Sequence, residues 1–187
     1  MKIIKTNLPD LVVIEPAVYE DERGYFYESY NKEVFKKNGF DFCFVQDNQS
    51  KSSKNVLRGL HYQLAPHAQT KLVRVLSGEI FDVAADIRKG SPTFGKWFGI
   101  RLSSDNKRQL LVPRGFAHGF SVLSETAVVL YKCDNLYKRD AERGINYNDP
   151  ALIIDWQISL NEAIISDRDR VFPMLNDAEH NFIYEEI

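Results

Sequence analysis

Residues 71–86 have the sequence KLVRVLSGEIFDVAAD, and this stretch decides the fold class. Two runs rich in Val, Ile, Leu and Phe, at residues 71–76 and 79–86, flank the pair Ser77-Gly78. Branched and aromatic side chains favour strands, whereas Ser and Gly favour tight turns. The stretch therefore predicts a β-hairpin near the middle of the chain.

Similar strand patterns continue on the C-terminal side. Strands are predicted at residues 95–102, 108–112, 119–123 and 127–133, each followed by Ser, Asp or Pro. On the N-terminal side, Asn31 can cap one short helix, which ends at Asn38-Gly39. The tail from Ala151 is predicted to form loops and a helical turn or two that pack on the strands. Short strands at this spacing predict an all-β sandwich or barrel.

The composition is that of a globular domain with a sizeable core. The chain has 187 residues, 44% of them hydrophobic and 27% charged, which favours a single domain over residues 1–187. The net charge of −2 argues against a nucleic-acid partner. The longest early apolar run, residues 11–14, is too short for a signal peptide or a membrane span. We therefore expect a cytoplasmic protein without a membrane partner.

Two motifs point to a particular kind of barrel. P-loop, GxGxxG and GxSxG patterns are absent, whereas Pro113-x-Gly115-x-x-His118 matches the second motif of the cupins, which are small double-stranded β-helix barrels. The first cupin motif, G-x5-H-x-H-x3-E-x6-G, can be placed between residues 59 and 78 with every spacing kept. The glycines and the second histidine of that motif are retained.

The metal ligands of a cupin are largely missing. A metal cupin uses three His and one Glu, but the first His position is Ala65 and the Glu position is Lys71. The chain would then offer only His67 and His118, and the lysine cation would repel a metal ion. We expect a cupin-type barrel without a metal. A redox-active metal site stays open as an alternative, in which His61 binds in a different geometry.

Several motifs, in the same order, resemble the dTDP-4-dehydrorhamnose 3,5-epimerases. The matching segments are residues 58–63 (RGLHYQ), 71–74 (KLVR), 78–83 (GEIFDV), 91–96 (SPTFGK), 113–119 (PRGFAHG) and 131–133 (YKC). The resemblance extends from Glu15-Pro16 to Ser166-Asp167 and so covers nearly the whole chain. It implies an all-β, cupin-like jelly-roll fold with a short helix after the N-terminal strands. It also implies a homodimer that uses no metal or other cofactor.

The resemblance assigns four catalytic residues. The substrate of the family is a 4-keto sugar linked to dTDP, and its protons on carbons 3 and 5 lie alpha to the carbonyl. A base can remove such a proton to give an enolate, and inversion needs an acid on the other ring face. By the resemblance, His61 is the base, Asp167 is its carboxylate partner, Lys71 lies near the keto oxygen and Tyr131 is the opposite acid.

The resemblance also implies the residues that bind the substrate. They are Arg23, Glu28, Gln46, Asp47, Asn48, Gln49, Arg58, His118, Tyr137, Glu142 and Arg168. Arginine forks suit a diphosphate, and Tyr137 matches an aromatic that stacks on the thymine ring. In the family, the N-terminal strand region that carries Arg23 and Glu28 is exchanged with the partner subunit. We therefore expect a site built from both chains.

Other functions stay open on the sequence alone. The same fold could invert only carbon 3, or act on a GDP-linked or heptose substrate. The pairing of His61 with Tyr131 argues against a keto-isomerase. A metal-dependent cupin oxygenase and a non-catalytic module that binds a sugar nucleotide are the more distant alternatives. Without the resemblance, Tyr131 in an apolar strand would be an ordinary core residue and Asp167 an ordinary turn residue.

Overall fold

The chain folds mainly into strands, as seen in a computed structural model that describes residues 1–185. The strands are β1 (Lys2–Lys5), β2 (Val12–Glu15), β3 (Val18–Asp21), β4 (Gly24–Tyr27), β5 (Gln46–Ser53), β6 (Leu57–Gln63), β7 (Lys71–Ser77), β8 (Glu79–Asp86), β9 (Trp97–Ser103), β10 (Gln109–Val112), β11 (Phe116–Val122), β12 (Thr126–Cys133) and β13 (Glu142–Gly144). The helices are α1 (Lys32–Lys37) and α2 (Asp167–Arg170). The predicted domain also includes residues 186–187, which lie outside the described residues.

Two antiparallel sheets make the barrel. One has the strand order β1-β2-β10-β7-β12-β5 and the other β13-β6-β11-β8-β9, while β3 and β4 pair separately. Residues that alternate along the strands fill the space between the two sheets, for example Val73 and Val75 from one sheet and Ile80 and Ala84 from the other. Because every second side chain points inward, both sheets share one apolar core. The predicted all-β, cupin-like jelly-roll fold is confirmed.

The predicted hairpin at residues 71–86 is wrong in its pairing, although both strands exist. β7 pairs with β10 and β12, whereas β8 pairs with β11 and β9 in the other sheet. Gly78 makes the corner between the sheets with a φ of +81°. A Cβ at this position would meet the carbonyl oxygen of Thr126 at 2.1 Å. The turn therefore sends the chain across the barrel instead of folding it back on itself.

The helix and the tail cover the outer faces of the sheets. The Asn31 side chain caps α1 by accepting hydrogen bonds from the backbone N–H groups of Glu33 (3.0 Å) and Val34 (3.2 Å), as predicted. The tail after residue 150 packs on the five-stranded sheet through buried Trp156 and Leu175. Burial of such side chains stabilises the fold by roughly 1.5–3 kcal/mol each. This packing also brings α2 next to β6.

One end of the barrel interior is polar where the rest is apolar. On β12, Ala127 and Val129 point into the core, and the same alternation brings Tyr131 to the inner face. On β7, Lys71 shares the inner face with Val73.

Within residues 1–185, no helix has the length and apolarity needed to cross a lipid bilayer.

Candidate active site

Two adjoining cavities occupy the polar end of the barrel, with volumes of about 200 and 220 Å³. Both are lined by His61, Lys71, Tyr131 and Glu142, so they form one site. His61 comes from β6 of the five-stranded sheet, whereas Lys71 and Tyr131 come from β7 and β12 of the six-stranded sheet. The site is therefore enclosed by both sheets.

His61 is held by a buried carboxylate from the tail. Its Nε2 lies 2.9 Å from Oδ1 of Asp169, whose side chain is only 4% exposed. The other carboxylate oxygen accepts a hydrogen bond from the backbone N–H of Gly59 at 3.0 Å. Burial by itself would raise the pKa of Asp169, but the hydrogen bonds from His61, Gly59 and Ser166 outweigh it and the pKa is lowered. Asp169 is therefore a carboxylate that can fix the imidazole and stabilise its protonated form.

The predicted His61 partner, Asp167, is wrong by two positions. Asp167 begins α2 and is exposed, because Ser166 caps the helix through the N–H of Asp169. Two residues correspond to about 200° around a helix, so the two carboxylates point in opposite directions. Ser166 is the N-cap of α2 and Asp169 is the third residue after it, as in a capping box. This spacing was the one local signal that could have favoured Asp169 over Asp167.

These two carboxylates give a matched test. Asp169→Asn is expected to lower kcat by about 10- to 100-fold, because the amide no longer holds His61 in its productive tautomer. Asp167→Asn has the same chemistry on an exposed helix position and is expected to keep near wild-type activity. Steady-state kinetics of both variants, with thermal melting as a check of folding, measures the difference. Equal losses in the two variants would contradict the Asp169 assignment.

Lys71 and Tyr131 lie together on the wall facing His61. The Lys71 ammonium is 5.9 Å from the centroid of the Tyr131 ring. Burial lowers the pKa of Lys71, although Cys133, Glu142 and Asp82 act in the other direction. Burial also raises the pKa of Tyr131, and this effect outweighs the opposite influence of Arg58. The Tyr131 phenol therefore stays protonated near neutral pH and can donate a proton.

A second histidine–carboxylate pair borders the same site, and its carboxylate was not predicted. Nε2 of His118 lies 2.8 Å from Oδ1 of Asp82, and both side chains are buried. His118 and His61 are opposite each other in the β11–β6 pair. Within the described residues, Oδ2 of Asp82 has no hydrogen-bond partner. Asp82 interrupts the apolar run of β8. Because a buried carboxylate is costly unless it is paired, this position was the available signal for a buried partner.

Glu142 connects two other predicted binding residues, Arg168 and Tyr137. Its carboxylate accepts hydrogen bonds from Arg168 at 2.6 and 2.9 Å and from the Tyr137 hydroxyl at 2.7 Å. Burial acts to raise the pKa of Glu142, but the bonds from Arg168 and Tyr137 prevail and the pKa is lowered. Tyr137 is 50% exposed at the edge of the site. A phenol ring in this position is accessible to a ligand.

Strand alternation divides the predicted residues of β5. Gln46 and Asn48 line the first cavity. Asp47 lies between them and Gln49 follows Asn48, so both have the opposite strand phase and point to the outer face, where Asp47 pairs with Lys132 at 2.9 Å. Within this chain Asp47 and Gln49 line neither cavity, and their predicted contacts with the substrate stay predictions. The run of four neighbouring residues could not all face one cavity from an extended strand.

Arg58 and His118, two of the residues predicted to contact the substrate, both line the second cavity. Nε of Arg58 donates a hydrogen bond to the Ser52 hydroxyl at 3.0 Å, which leaves the rest of the guanidinium toward the cavity. Arg168 lines the same cavity. Two arginines at one opening suit an anionic ligand.

Arg23 and Glu28 are not brought to this site within one chain. Arg23 lies in the β3–β4 hairpin, where its 84% exposed side chain pairs with Asp21. Glu28 follows β4 and accepts a hydrogen bond from Asn31 at 3.0 Å. Neither residue lines any of the cavities to which His61 contributes.

The positions of the cupin metal ligands are also separated. Ala65 is exposed, His67 is absent from the lining of both cavities, and Lys71 reaches into the site. Among residues 1–185 there is no group of three or more His, Cys, Asp or Glu able to hold a metal ion.

Comparison with known proteins gives one consistent match. The sequence profile of the family described as dTDP-4-dehydrorhamnose 3,5-epimerase matches residues 5–177. The dTDP-4-dehydrorhamnose 3,5-epimerase of Shigella flexneri is 56% identical over 170 residues, which cover 90% of this chain and 93% of the relative.

Solved structures show the same likeness. The dTDP-4-dehydrorhamnose 3,5-epimerase from Elizabethkingia anophelis superposes with a TM-score of 0.91 at 54% identity, over 95% of this chain and 97% of that one. A structure from Legionella pneumophila, dTDP-6-deoxy-D-glucose-3,5-epimerase in complex with dTDP-4-keto-L-rhamnose, gives a TM-score of 0.90 at 51% identity. It covers 94% of this chain and 93% of its own.

Proposed function

This chain belongs to the dTDP-4-dehydrorhamnose 3,5-epimerase family, and on that premise we propose which of its residues carry out the reaction. It is an isomerase that epimerises dTDP-4-dehydro-6-deoxy-D-glucose at carbons 3 and 5 to dTDP-4-dehydro-L-rhamnose, in dTDP-L-rhamnose biosynthesis. The observation that carries the residue assignment is the placement of His61 and Tyr131. They reach the same cavities from different sheets.

His61 is the base that removes the protons on carbons 3 and 5. Each of these protons lies alpha to the carbonyl at carbon 4, so its removal gives an enolate instead of an isolated carbanion. Asp169 occupies Nε2 of the imidazole, which leaves the other ring nitrogen to accept the substrate proton. The buried carboxylate then stabilises the imidazolium.

Lys71 and Tyr131 complete the inversion from the other wall. The Lys71 ammonium stabilises negative charge on the enolate oxygen, as an oxyanion donor does. The Tyr131 phenol donates a proton to the ring face opposite His61. Its raised pKa supports this role, because the group keeps its proton until the enolate needs one. Removal on one face and delivery on the other inverts the carbon.

The other polar residues of the site bind the rest of the substrate. Arg58 and Arg168 contact the diphosphate, since each lines the second cavity and can form paired hydrogen bonds to it. The exposed ring of Tyr137 stacks on the thymine. Gln46 and Asn48 supply hydrogen bonds from the first cavity. His118 and Glu142 complete the polar surroundings of the substrate.

The direct test of the function is to incubate the protein with dTDP-4-dehydro-6-deoxy-D-glucose in heavy water and follow the sugar by NMR. Deuterium at both carbons 3 and 5, together with an L-configured product, is the expected result. Deuterium and inversion at carbon 3 alone would indicate a 3-epimerase. Absence of exchange at both carbons would indicate a binding module.

A homodimer is proposed from the β3–β4 hairpin. Among residues 1–185 this hairpin pairs with no further strand, and Tyr19, Tyr25 and Phe26 are 68%, 58% and 72% exposed on it. A two-stranded hairpin is marginally stable by itself, and exposed aromatic rings favour an interface. A partner subunit that covers the hairpin would bring Arg23 and Glu28 to the nucleotide in the partner's site.

Mixed dimers test this shared site. Arg23→Ala and His61→Ala chains are each expected to have little activity as homodimers. If each site combines His61 of one chain with Arg23 of the other, a mixed dimer has one intact site of two. Equal mixing with free exchange should then restore about a quarter of wild-type activity. Activity that stays at the homodimer level, although exchange is demonstrated by mass labelling, would show that each site uses one chain only.

Two expectations stay predictions. Catalysis without a metal ion is expected from Ala65 and Lys71 at the aligned ligand positions, and location in the cytoplasm is expected from the sequence.

A further inference from the structure

Phe172, which lies beyond the end of α2, contacts both a catalytic and a binding group. Its ring centroid is 5.6 Å from that of His61, with the two planes at 77° in an edge-to-face arrangement. The guanidinium carbon of Arg168 is also 5.6 Å from the Phe172 centroid. Sequence patterns gave no reason to single out this phenylalanine, because it is one of many apolar residues in a tail without a regular period.

The ring is seated on a glycine that faces His61 in the sheet. Gly144 of β13 is the register partner of His61 in β6. A Cβ on Gly144 would lie 2.4 Å from two carbons of the Phe172 ring, so the ring occupies the space of a side chain. Gly144 has an ordinary strand backbone. A glycine is therefore required here to make room for the Phe172 ring, and not to allow an unusual backbone conformation.

The backbone around Phe172 is tied to the same region. The Asn146 backbone N–H donates to the carbonyl of Pro173 at 2.9 Å. The Asn146 side-chain amide donates to the carbonyls of Arg170 and Phe172 at 3.1 and 3.3 Å. These bonds fix the segment after α2, so the ring position is set by the fold and not by chance packing.

We infer that Phe172 is a positioning residue for the base of this epimerase. The bond to Asp169 holds one nitrogen of His61 but leaves the plane of the imidazole able to tilt about that contact. The edge-to-face contact with Phe172 restricts this tilt and keeps water from one side of the ring. The free nitrogen is thereby aimed at the substrate carbon. The inference rests on the proposed role of His61 as the base.

The first test is Phe172→Ala. Its kcat is expected to fall by about 3- to 10-fold, the size expected for one aromatic pair, while KM changes less than 2-fold. With substrate deuterated at carbon 5, the primary isotope effect on kcat should increase, because proton removal becomes slower relative to the other steps. Phe172→Leu keeps apolar volume without an aromatic edge and should show the same increase. A folded Leu variant with wild-type kcat and isotope effect would overturn the inference.

Gly144→Ala provides a second, independent variant. Its methyl group collides with the Phe172 ring, so kcat should fall at least as far as in Phe172→Ala. Adding Phe172→Ala to Gly144→Ala removes the collision, and kcat should return to the level of Phe172→Ala alone. Additive losses in the double variant would contradict the proposed contact.

A matched control lies elsewhere in the chain. Phe94 contacts His180 at the same ring separation of 5.6 Å, and neither residue lines the catalytic cavities. Phe94→Ala is expected to leave kcat and the isotope effect unchanged. His61→Asn distinguishes failure of the proposed base from failure of the positioning role. Solvent exchange at carbons 3 and 5 that persists in this variant would exclude His61 as the base. A dead His61→Asn enzyme beside an unaffected Phe172→Ala enzyme removes only the positioning role.

Discussion

His61→Asn is expected to lower kcat by at least about 10²-fold, because it removes the group that takes protons from carbons 3 and 5. Asparagine keeps a polar side chain beside Asp169, so the buried carboxylate is not left without a donor. The fold should therefore survive, as checked by circular dichroism and thermal melting. Wash-in of solvent deuterium, followed by NMR, reports proton removal even where net inversion is slow.

His67→Asn is the matched control for this prediction. His67 is absent from the lining of both cavities, yet it aligns with a metal ligand of the cupins. Wild-type activity is expected in this variant, whereas a metal-dependent oxygenase would require the histidine. Deuterium that still entered carbon 3 at nearly the wild-type rate in His61→Asn would exclude His61 as the base.

Lys71→Met is expected to lower kcat/KM by about 10²- to 10³-fold, which corresponds to about 3–4 kcal/mol of transition-state stabilisation. Methionine retains most of the chain length but no charge. In an enclosed site, an ammonium close to the enolate oxygen acts through a low effective dielectric, so its loss is costly. Lys54→Met, at a surface pair with Glu125, is the control and should keep wild-type kinetics.

The pH profile gives a second check on Lys71. Burial lowers the pKa of this ammonium, so its charge is lost at a lower pH than that of an exposed lysine. The charged form is the active one, and kcat should therefore decline as pH rises through the lowered pKa. This alkaline limb should be absent from the residual activity of Lys71→Met. An unchanged limb in that variant would assign it to another group, such as Tyr131.

The local sequence pattern predicted the strands and the short helix, but it did not predict which strands pair with each other. The run at residues 71–86 specifies strand, turn and strand equally well for a hairpin and for a corner between sheets. The difference depends on which distant strands offer free edges to β7 and β8, and no local pattern contains that information. The cap at Asn31, in contrast, depends on residues within one turn and was predicted correctly.

The resemblance, and not the strand pattern, singled out Lys71 and Tyr131. Both continue the inward alternation of apolar neighbours, and period two explains why they reach one cavity in the structure. The resemblance marks a whole segment such as residues 46–49, whereas a strand directs only every second residue of it toward one cavity. Asp169 and Phe172 come from a tail whose path is set by packing on the barrel, so the predicted carboxylate was two residues away and Phe172 was not singled out.

The tail also gives the enzyme a fixed order of maturation. The strands that carry His61, Lys71 and Tyr131 are synthesised before the segment that carries Asp169. Because a domain folds as a unit, a nascent chain cannot hold His61 in its productive orientation until the segment that carries Asp169 has been synthesised and has docked. The tail thus supplies both Asp169 for the base and Arg168 for the nucleotide, and the enzyme becomes active only after this last portion has docked on the barrel.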